Sequence, residues 1–232
     1  MRPAAVIFDM DGLLLDTERV ARDAFAETCA GHGLLPPPGF FERMVGLNNA
    51  ASRRVLAEFL GNAASPELFE KRWDDACDRV LARGMPVKTG VETLLAALAE
   101  ASVPLAVATS TRESRALWKL REAGLHAYFD RLAFGDEVAA GKPAPDIFLL
   151  AAARLNAAPA TCIAFEDSLN GVLAANAAGM RVVHVPDQVP PCARSRAAGP
   201  LEAETVIEGA VSVGLCAFAP DGALRVADRR ER

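Results

Sequence analysis

Five short apolar runs punctuate the chain, and each ends in polar residues. Val6-Ile7-Phe8 leads into Asp9-Met10-Asp11-Gly12, and Val103-Pro104-Leu105-Ala106-Val107-Ala108 leads into Thr109-Ser110-Thr111. Leu132-Ala133-Phe134 is followed by Gly135-Asp136-Glu137. Thr161-Cys162-Ile163-Ala164-Phe165 is followed by Glu166-Asp167-Ser168, and Arg181-Val182-Val183-His184-Val185 by Pro186-Asp187. Continuous apolar runs of this length read as buried parallel strands. Helical patterns separate them. Thr89-Gly90-Val91-Glu92 has the spacing of a capping box ahead of Leu94, Leu95 and Leu98. Ser110 stands as an N-cap before Leu117, Trp118 and Leu120, with Gly124 closing that helix. Pro145-Asp146 fits a first turn before Ile147, and the alanine-rich stretch 168–178 stops at Gly179. Strands and helices in alternation predict a doubly wound α/β sheet, in which ligands bind beyond the carboxyl ends of the strands. Here those ends carry Asp9/Asp11, Thr109/Ser110 and Glu166/Asp167.

One stretch breaks the alternation. Between 16 and 85 no strand signal occurs, and helical patterns cover 18–30, 51–60 and 66–82, with breaks at Pro36-Pro37-Pro38-Gly39 and Gly61-Asn62. The pattern predicts a small helical domain at 16–85, inserted into an α/β core made of 1–15 and 86–232. The apolar segment 211–218 suits either core or interface. The tail after about Leu215 ends in Ala227-Asp228-Arg229-Arg230-Glu231-Arg232, an end expected to be mobile and solvated.

Composition narrows the function classes. Of 232 residues, 51% are hydrophobic, enough for a sizeable core. A formal net charge of -5 argues against a nucleic-acid partner. It leaves room for a phosphorylated small molecule, for which a few local cations suffice. The five cysteines are odd in number and form no Cys-x-x-Cys pair, and the three histidines lack ligand spacing. Free thiols and no zinc site follow. The opening residues lack a signal peptide's apolar region, and no apolar run approaches the ~20 residues that span a bilayer. The expectation is a cytoplasmic protein without a membrane partner, with a monomer favoured.

The chemistry concentrates at Asp9 and Asp11. Carboxylates beside buried strands are costly unless something positive binds them. A divalent metal would satisfy both, and a phosphate could then join the metal.

Four segments occur in order: Asp9-Met10-Asp11-Gly12-Leu13-Leu14-Leu15-Asp16-Thr17, Ala108-Thr109-Ser110, Gly141-Lys142-Pro143-Ala144-Pro145-Asp146 and Phe165-Glu166-Asp167-Ser168. Together they resemble the four ordered motifs of the haloacid dehalogenase superfamily, in its phosphatase and β-phosphoglucomutase-like branch, which carries a helical cap between the first and second motifs. The likeness runs from Ala4 to about Val185. It implies a Rossmann-like core and a Mg²⁺-dependent phosphatase acting on a small soluble phosphomonoester. In that resemblance Asp9 is the nucleophile that forms an aspartyl-phosphate, and Asp11 is the general acid and then base, its backbone carbonyl also on Mg²⁺. Thr109 and the Ser110 N–H bind the phosphoryl group. Lys142 neutralises that group and Asp9. Asp167 ligates the metal directly, and Glu166 joins through water. Asp11 also separates phosphoryl chemistry from dehalogenation, since halide departure needs no proton. Only four lysines stand against twenty-one arginines, so a lysine inside a motif is informative.

The cap departs from the mutase pattern. The mutases' cap histidine aligns with Ala21, and their cap arginine aligns near 46–49, where the chain has Gly46-Leu47-Asn48-Asn49. Without those cations, retention of a bisphosphate is disfavoured and a phosphatase is favoured. Arg43, Lys71 and Arg72 are candidate substitutes. The alternatives are a β-phosphoglucomutase-like sugar phosphomutase and a non-catalytic phospholigand-binding protein. Lys88-Thr89-Gly90 stands where the family often has a proline before the glycine.

Overall fold

The structure is a computed structural model and describes residues 3–45, 49–219 and 221–227. In chain order the elements are β1 (Ala5–Phe8), α1 (Thr17–Gly31), α2 (Asn49–Leu60), α3 (Pro66–Leu81), α4 (Val91–Glu100), β2 (Leu105–Ala108), α5 (Glu113–Glu122), β3 (Arg131–Ala133) and α6 (Asp146–Arg154). They continue as β4 (Cys162–Glu166), α7 (Leu169–Ala177), β5 (Arg181–His184), α8 (Ala193–Ala197), β6 (Leu201–Glu202), α9 (Val206–Ser212), β7 (Cys216–Phe218) and β8 (Leu224–Val226).

Six strands form one parallel sheet in the order β3-β2-β1-β4-β5-β6. β1 is central, with Phe8 opposite Val107 on one side and Phe165 on the other. The chain winds outward from β1 in both directions, so the switch in winding falls at the carboxyl ends of β1 and its neighbours. The sheet explains the continuous apolar runs, because both its faces are covered. Val6, Phe8, Leu105, Val107 and Phe165 face α4, α5, α9 and the C-terminal hairpin in one cluster. Ala5, Ile7, Ala106, Ala108, Ala133 and Ala164 face α6 and α7 in the other.

The helices α1, α2 and α3 form a cluster of their own. Phe25 is its hub, with ring centroids 5.8 Å from Phe40, 5.7 Å from Phe69 and 5.2 Å from Trp73. The Trp73 indole N–H donates to the Ala21 carbonyl at 2.8 Å, which locks α3 to α1. The α3 N-terminus is set by Ser65, whose hydroxyl accepts from the Leu68 N–H, and by Pro66 at the first position.

Two sequence expectations change. Thr89 does not cap α4: the N-cap is Gly90, without a side-chain bond. Ser110 does not cap α5, which begins three residues later. The Thr109 hydroxyl accepts from the Thr111 N–H and holds the loop out of the helix, while Asp136 accepts from the Glu113 N–H at 3.0 Å and caps α5 from the next crossover. Residues 228–232 of the tail, expected to be mobile, lie outside the described residues. β7 and β8 pair antiparallel, and Leu215, Cys216 and Leu224 are buried in the main cluster, because α4 would otherwise leave apolar surface in water.

Replacing Phe25 with Ala removes the hub of the insertion. A loss of about 3–5 kcal/mol is expected, measured by urea denaturation.

Candidate active site

Asp9 follows the last residue of β1, and its N–H donates to the Phe165 carbonyl at 3.0 Å, so the backbone ladder itself aims the side chain. Glu166 ends β4 and Asp167 follows it. The carboxylates of Asp9, Glu166 and Asp167 are buried, and their oxygens lie within 4.8 Å of one another. One cation faces them. Lys142, itself buried, donates to Asp9, to Glu166 Oε1 at 2.5 Å and to the Ala108 carbonyl at 3.0 Å. Its ammonium also stands 5.1 Å from the Phe148 ring centroid. Glu166 is fully saturated, since its other oxygen accepts from the Ser168 N–H and hydroxyl, both at 3.1 Å. Ser168 in turn caps α7 by accepting from the Gly171 N–H.

Two glycines make the cluster possible. A Cβ on Gly12 would fall 2.2 Å from an Asp167 carboxylate oxygen, and one on Gly171 would fall 1.8 Å from the Glu166 carboxyl. Gly12 also has φ +87°, which other residues rarely adopt.

Three carboxylates around one ammonium leave an excess of buried negative charge. Burial, and then Glu166, push the Asp9 carboxyl up to about 8 against the pull of Lys142. Burial, Glu166, Asp9 and Glu18 push Asp167 well above the ordinary carboxylate range. Burial disfavours the Lys142 charge, but Asp9 and Glu166 overcome it and raise the lysine above its usual value. An oxygen-rich cluster with surplus negative charge fits a hard divalent cation such as Mg²⁺.

Asp11 lies in different surroundings. Its Oδ1 accepts from Lys119 Nζ and from the Thr17 hydroxyl, each at 2.5 Å, and its Oδ2 accepts from the Thr111 hydroxyl at 2.7 Å. Burial alone would raise its pKa, but the Lys119 charge and these three bonds hold it below the ordinary range. The Asp11 carboxylate is therefore outside the three-carboxylate cluster.

A cavity of about 220 Å³ opens over these groups. Thr109, Ser110, Thr111, Lys119, Lys142 and Ser168 line it from the core. The insertion contributes Thr17, Glu18, Ala21 and Val45. Thr109 is buried and Ser110 exposed. Burial, then Asp11, raise the Glu18 carboxyl to about 7. Of the seven motif residues named from the sequence, Asp9, Asp11, Thr109, Ser110, Lys142 and Asp167 line this one cavity, and Glu166 bonds to Lys142 among them.

The candidate cap cations do not line it. Lys71 pairs with Asp75 at 2.7 Å, Arg72 contacts His32 at 3.0 Å, and Arg43 lies over Phe40. Loop residues 46–48 are outside the described residues. Asp136 and Glu137 have structural work: the first caps α5, and the second pairs with Arg154 at 2.7 Å. Sequence reasoning missed Thr17, Thr111 and Lys119 as partners of Asp11. For Lys119 a signal existed. It sits three residues after Ala116 and one before Leu120, on the inward face of α5, where a charge is unexpected.

Fold and site together define an α/β protein with a buried acidic cluster that could hold a metal ion. The family model of haloacid dehalogenase-like hydrolases matches residues 3–179, and the chain belongs to that family. It is 38% identical over 180 residues to a phosphorylated carbohydrates phosphatase of Thermotoga maritima, covering 78% of this chain and 83% of that one. It is 34% identical over 187 residues to the fructose-1-phosphate phosphatase YqaB of Escherichia coli, covering 79% and 97%. Among solved structures, CbbY from Rhodobacter sphaeroides in complex with phosphate superposes with a TM-score of 0.70 at 29% identity, over 88% of this chain and 94% of that one. No helix among the described residues is long and apolar enough to cross a membrane.

Replacing Lys142 with Met leaves three buried carboxylates without a counter-charge. Stability should fall by about 3 kcal/mol in the presence of a chelator, and by less with Mg²⁺ present, both read by urea denaturation.

Proposed function

We propose that the protein is a Mg²⁺-dependent phosphatase that hydrolyses a small soluble phosphomonoester through an aspartyl-phosphate on Asp9. The observation that carries this reading is the gathering of Asp9, Asp11, Thr109, Lys142 and Asp167 around one cavity. Asp9 stands in the acidic cluster beside Lys142, while Asp11 is gripped by Lys119, Thr17 and Thr111.

In the first half-reaction an Asp9 oxygen attacks phosphorus, the ester P–O bond breaks, and Asp11 gives its proton to the leaving oxygen. In the second, Asp11 takes a proton from water as that water attacks phosphorus, and the Asp9–phosphorus bond breaks. Phosphate monoesters hydrolyse so slowly unaided that enzymes accelerate them by up to ~10²¹-fold. Asp9, Asp167, the Asp11 backbone carbonyl and, through water, Glu166 would hold Mg²⁺, which supplies charge neutralisation between the nucleophile and the phosphoryl oxygens. Lys142 adds a second positive charge on the same side. The Thr109 hydroxyl and the Ser110 N–H orient the phosphoryl group.

The inserted helices of residues 16–85 act as a cap over the site that excludes water and reads the rest of the substrate. Their described contribution to the cavity, Thr17, Glu18, Ala21 and Val45, holds no cation. That suits a leaving group rich in hydroxyls, such as a sugar, better than a second phosphate. The phosphatase names among the relatives point the same way. A sugar phosphomutase is the second reading. It is favoured by Arg112, an exposed arginine in an adjoining cleft that shares Thr111 with the site. A panel of phosphomonoesters separates the two: a phosphatase releases inorganic phosphate, whereas a mutase returns an isomeric sugar phosphate and releases little. We place the protein in the cytoplasm as a monomer.

Asp9→Asn should lower turnover by on the order of 10⁴-fold or more, as loss of a nucleophile does. Retained activity would remove Asp9 from the role. Mg²⁺ at ~100 times its dissociation constant should add about 2.7 kcal/mol, about 5–10 °C in thermal midpoint. Asp167→Asn should abolish that shift, and an undiminished shift would remove Asp167 from the metal.

A further inference from the structure

Lys119 is an unusual residue for its place. It lies on α5, between Ala116 and Leu120 on the buried face, and only 7% of it is exposed. Its ammonium reaches Asp11 Oδ1 at 2.5 Å. Thr17 and Thr111 already give that carboxylate two hydroxyl donors. The third, charged donor goes to Oδ1, which Thr17 already serves, so that oxygen has two partners.

The three donors differ in origin. Thr17 opens α1 and belongs to the inserted helices, whereas Thr111 and Lys119 belong to the core. Any movement of the insertion changes the Thr17 contact and leaves the other two. The core donors also reach different oxygens, Lys119 to Oδ1 and Thr111 to Oδ2, and two points fix the plane of a carboxyl group.

We infer that Lys119 is a positioning residue for Asp11, keeping its carboxyl group aimed at the leaving oxygen whatever position the inserted helices take. The inference rests on the acid–base role proposed for Asp11. It predicts a defect that depends on the leaving group, because misaiming an acid by about 1 Å is costly only where a proton must be delivered.

The test compares phenyl phosphate with p-nitrophenyl phosphate. The two esters have nearly the same shape, but p-nitrophenolate departs without a proton and phenolate benefits from one. In Lys119→Met, kcat/KM for phenyl phosphate should fall about tenfold further than for p-nitrophenyl phosphate, and Lys119→Arg should restore most of the difference. Equal losses on the two esters, or no loss on either, would overturn the inference. A rise in KM alike for both would do so too, since it marks a substrate contact or a general structural role. Asp11→Asn, run beside them, keeps the two questions apart. If Asp11→Asn discriminates between the esters and Lys119→Met does not, only the inference about Lys119 fails. If Asp11→Asn shows no discrimination, the acid–base reading itself fails. Should Lys119→Met not fold, as judged by circular dichroism, Lys119→Gln carries the same comparison.

Discussion

Three buried carboxylates arranged around one buried ammonium are the constraint from which the rest of the site follows. Such a cluster is unfavourable unless every oxygen and every proton has a partner. Much of the local structure is organised to supply them. Lys142 serves Asp9, Glu166 and a strand carbonyl together. Ser168 serves Glu166 from its backbone and its side chain while starting α7. Gly12 and Gly171 keep clear the space that two carboxylates occupy. The central strand of the sheet fixes where all of this happens, because only at its carboxyl end do β1 and β4 deliver acids side by side.

Asp9 and Asp11 are two residues apart and live in opposite electrostatic worlds. Asp9 shares a pocket with more acids than bases. Asp11 has a lysine and two threonine hydroxyls to itself. The difference comes from what the next elements bring: the loop before α6 brings Lys142 to the first aspartate, and α5 brings Lys119 to the second. A single turn in the chain thereby divides one acidic motif between two neighbourhoods. The helices between β1 and β2 touch the second through Thr17, whose hydroxyl donates to Asp11.

The parallel sheet was legible because strands buried on both faces must be apolar throughout, and the runs at Val6, Leu105, Ile163 and Val182 have that character. The motif residues were legible because acids, a threonine and a rare lysine recur where those runs stop. The insertion's helices were legible from periodicity and from Ser65-Pro66. Other features depended on contacts between distant segments. Asp136 capping α5 across a crossover leaves no local trace, and Ser110 looked the better cap for that reason. The β7–β8 hairpin is short and half exposed, with Phe218 largely in water, so its pattern carried no strand signal. The Asp11 partners come from residues 6, 100 and 108 positions away, distances over which side-chain pairing cannot be read from spacing.

The two faces of the sheet are unequal: one carries phenylalanine, leucine and valine, the other mostly alanine. The alanine face works as a shim. With so little side chain beneath it, α6 can settle close to β1 and β2, and the loop at its start carries Lys142 down with it. A lysine side chain has a fixed length, so the height of that helix above the sheet determines whether its ammonium reaches Asp9 or stops short. Ala106 and Ala164 lie on that face and touch no substrate, yet their small size sets the depth at which the lysine charge operates. Methyl groups that hold no chemistry of their own thereby calibrate the electrostatics of the site from below.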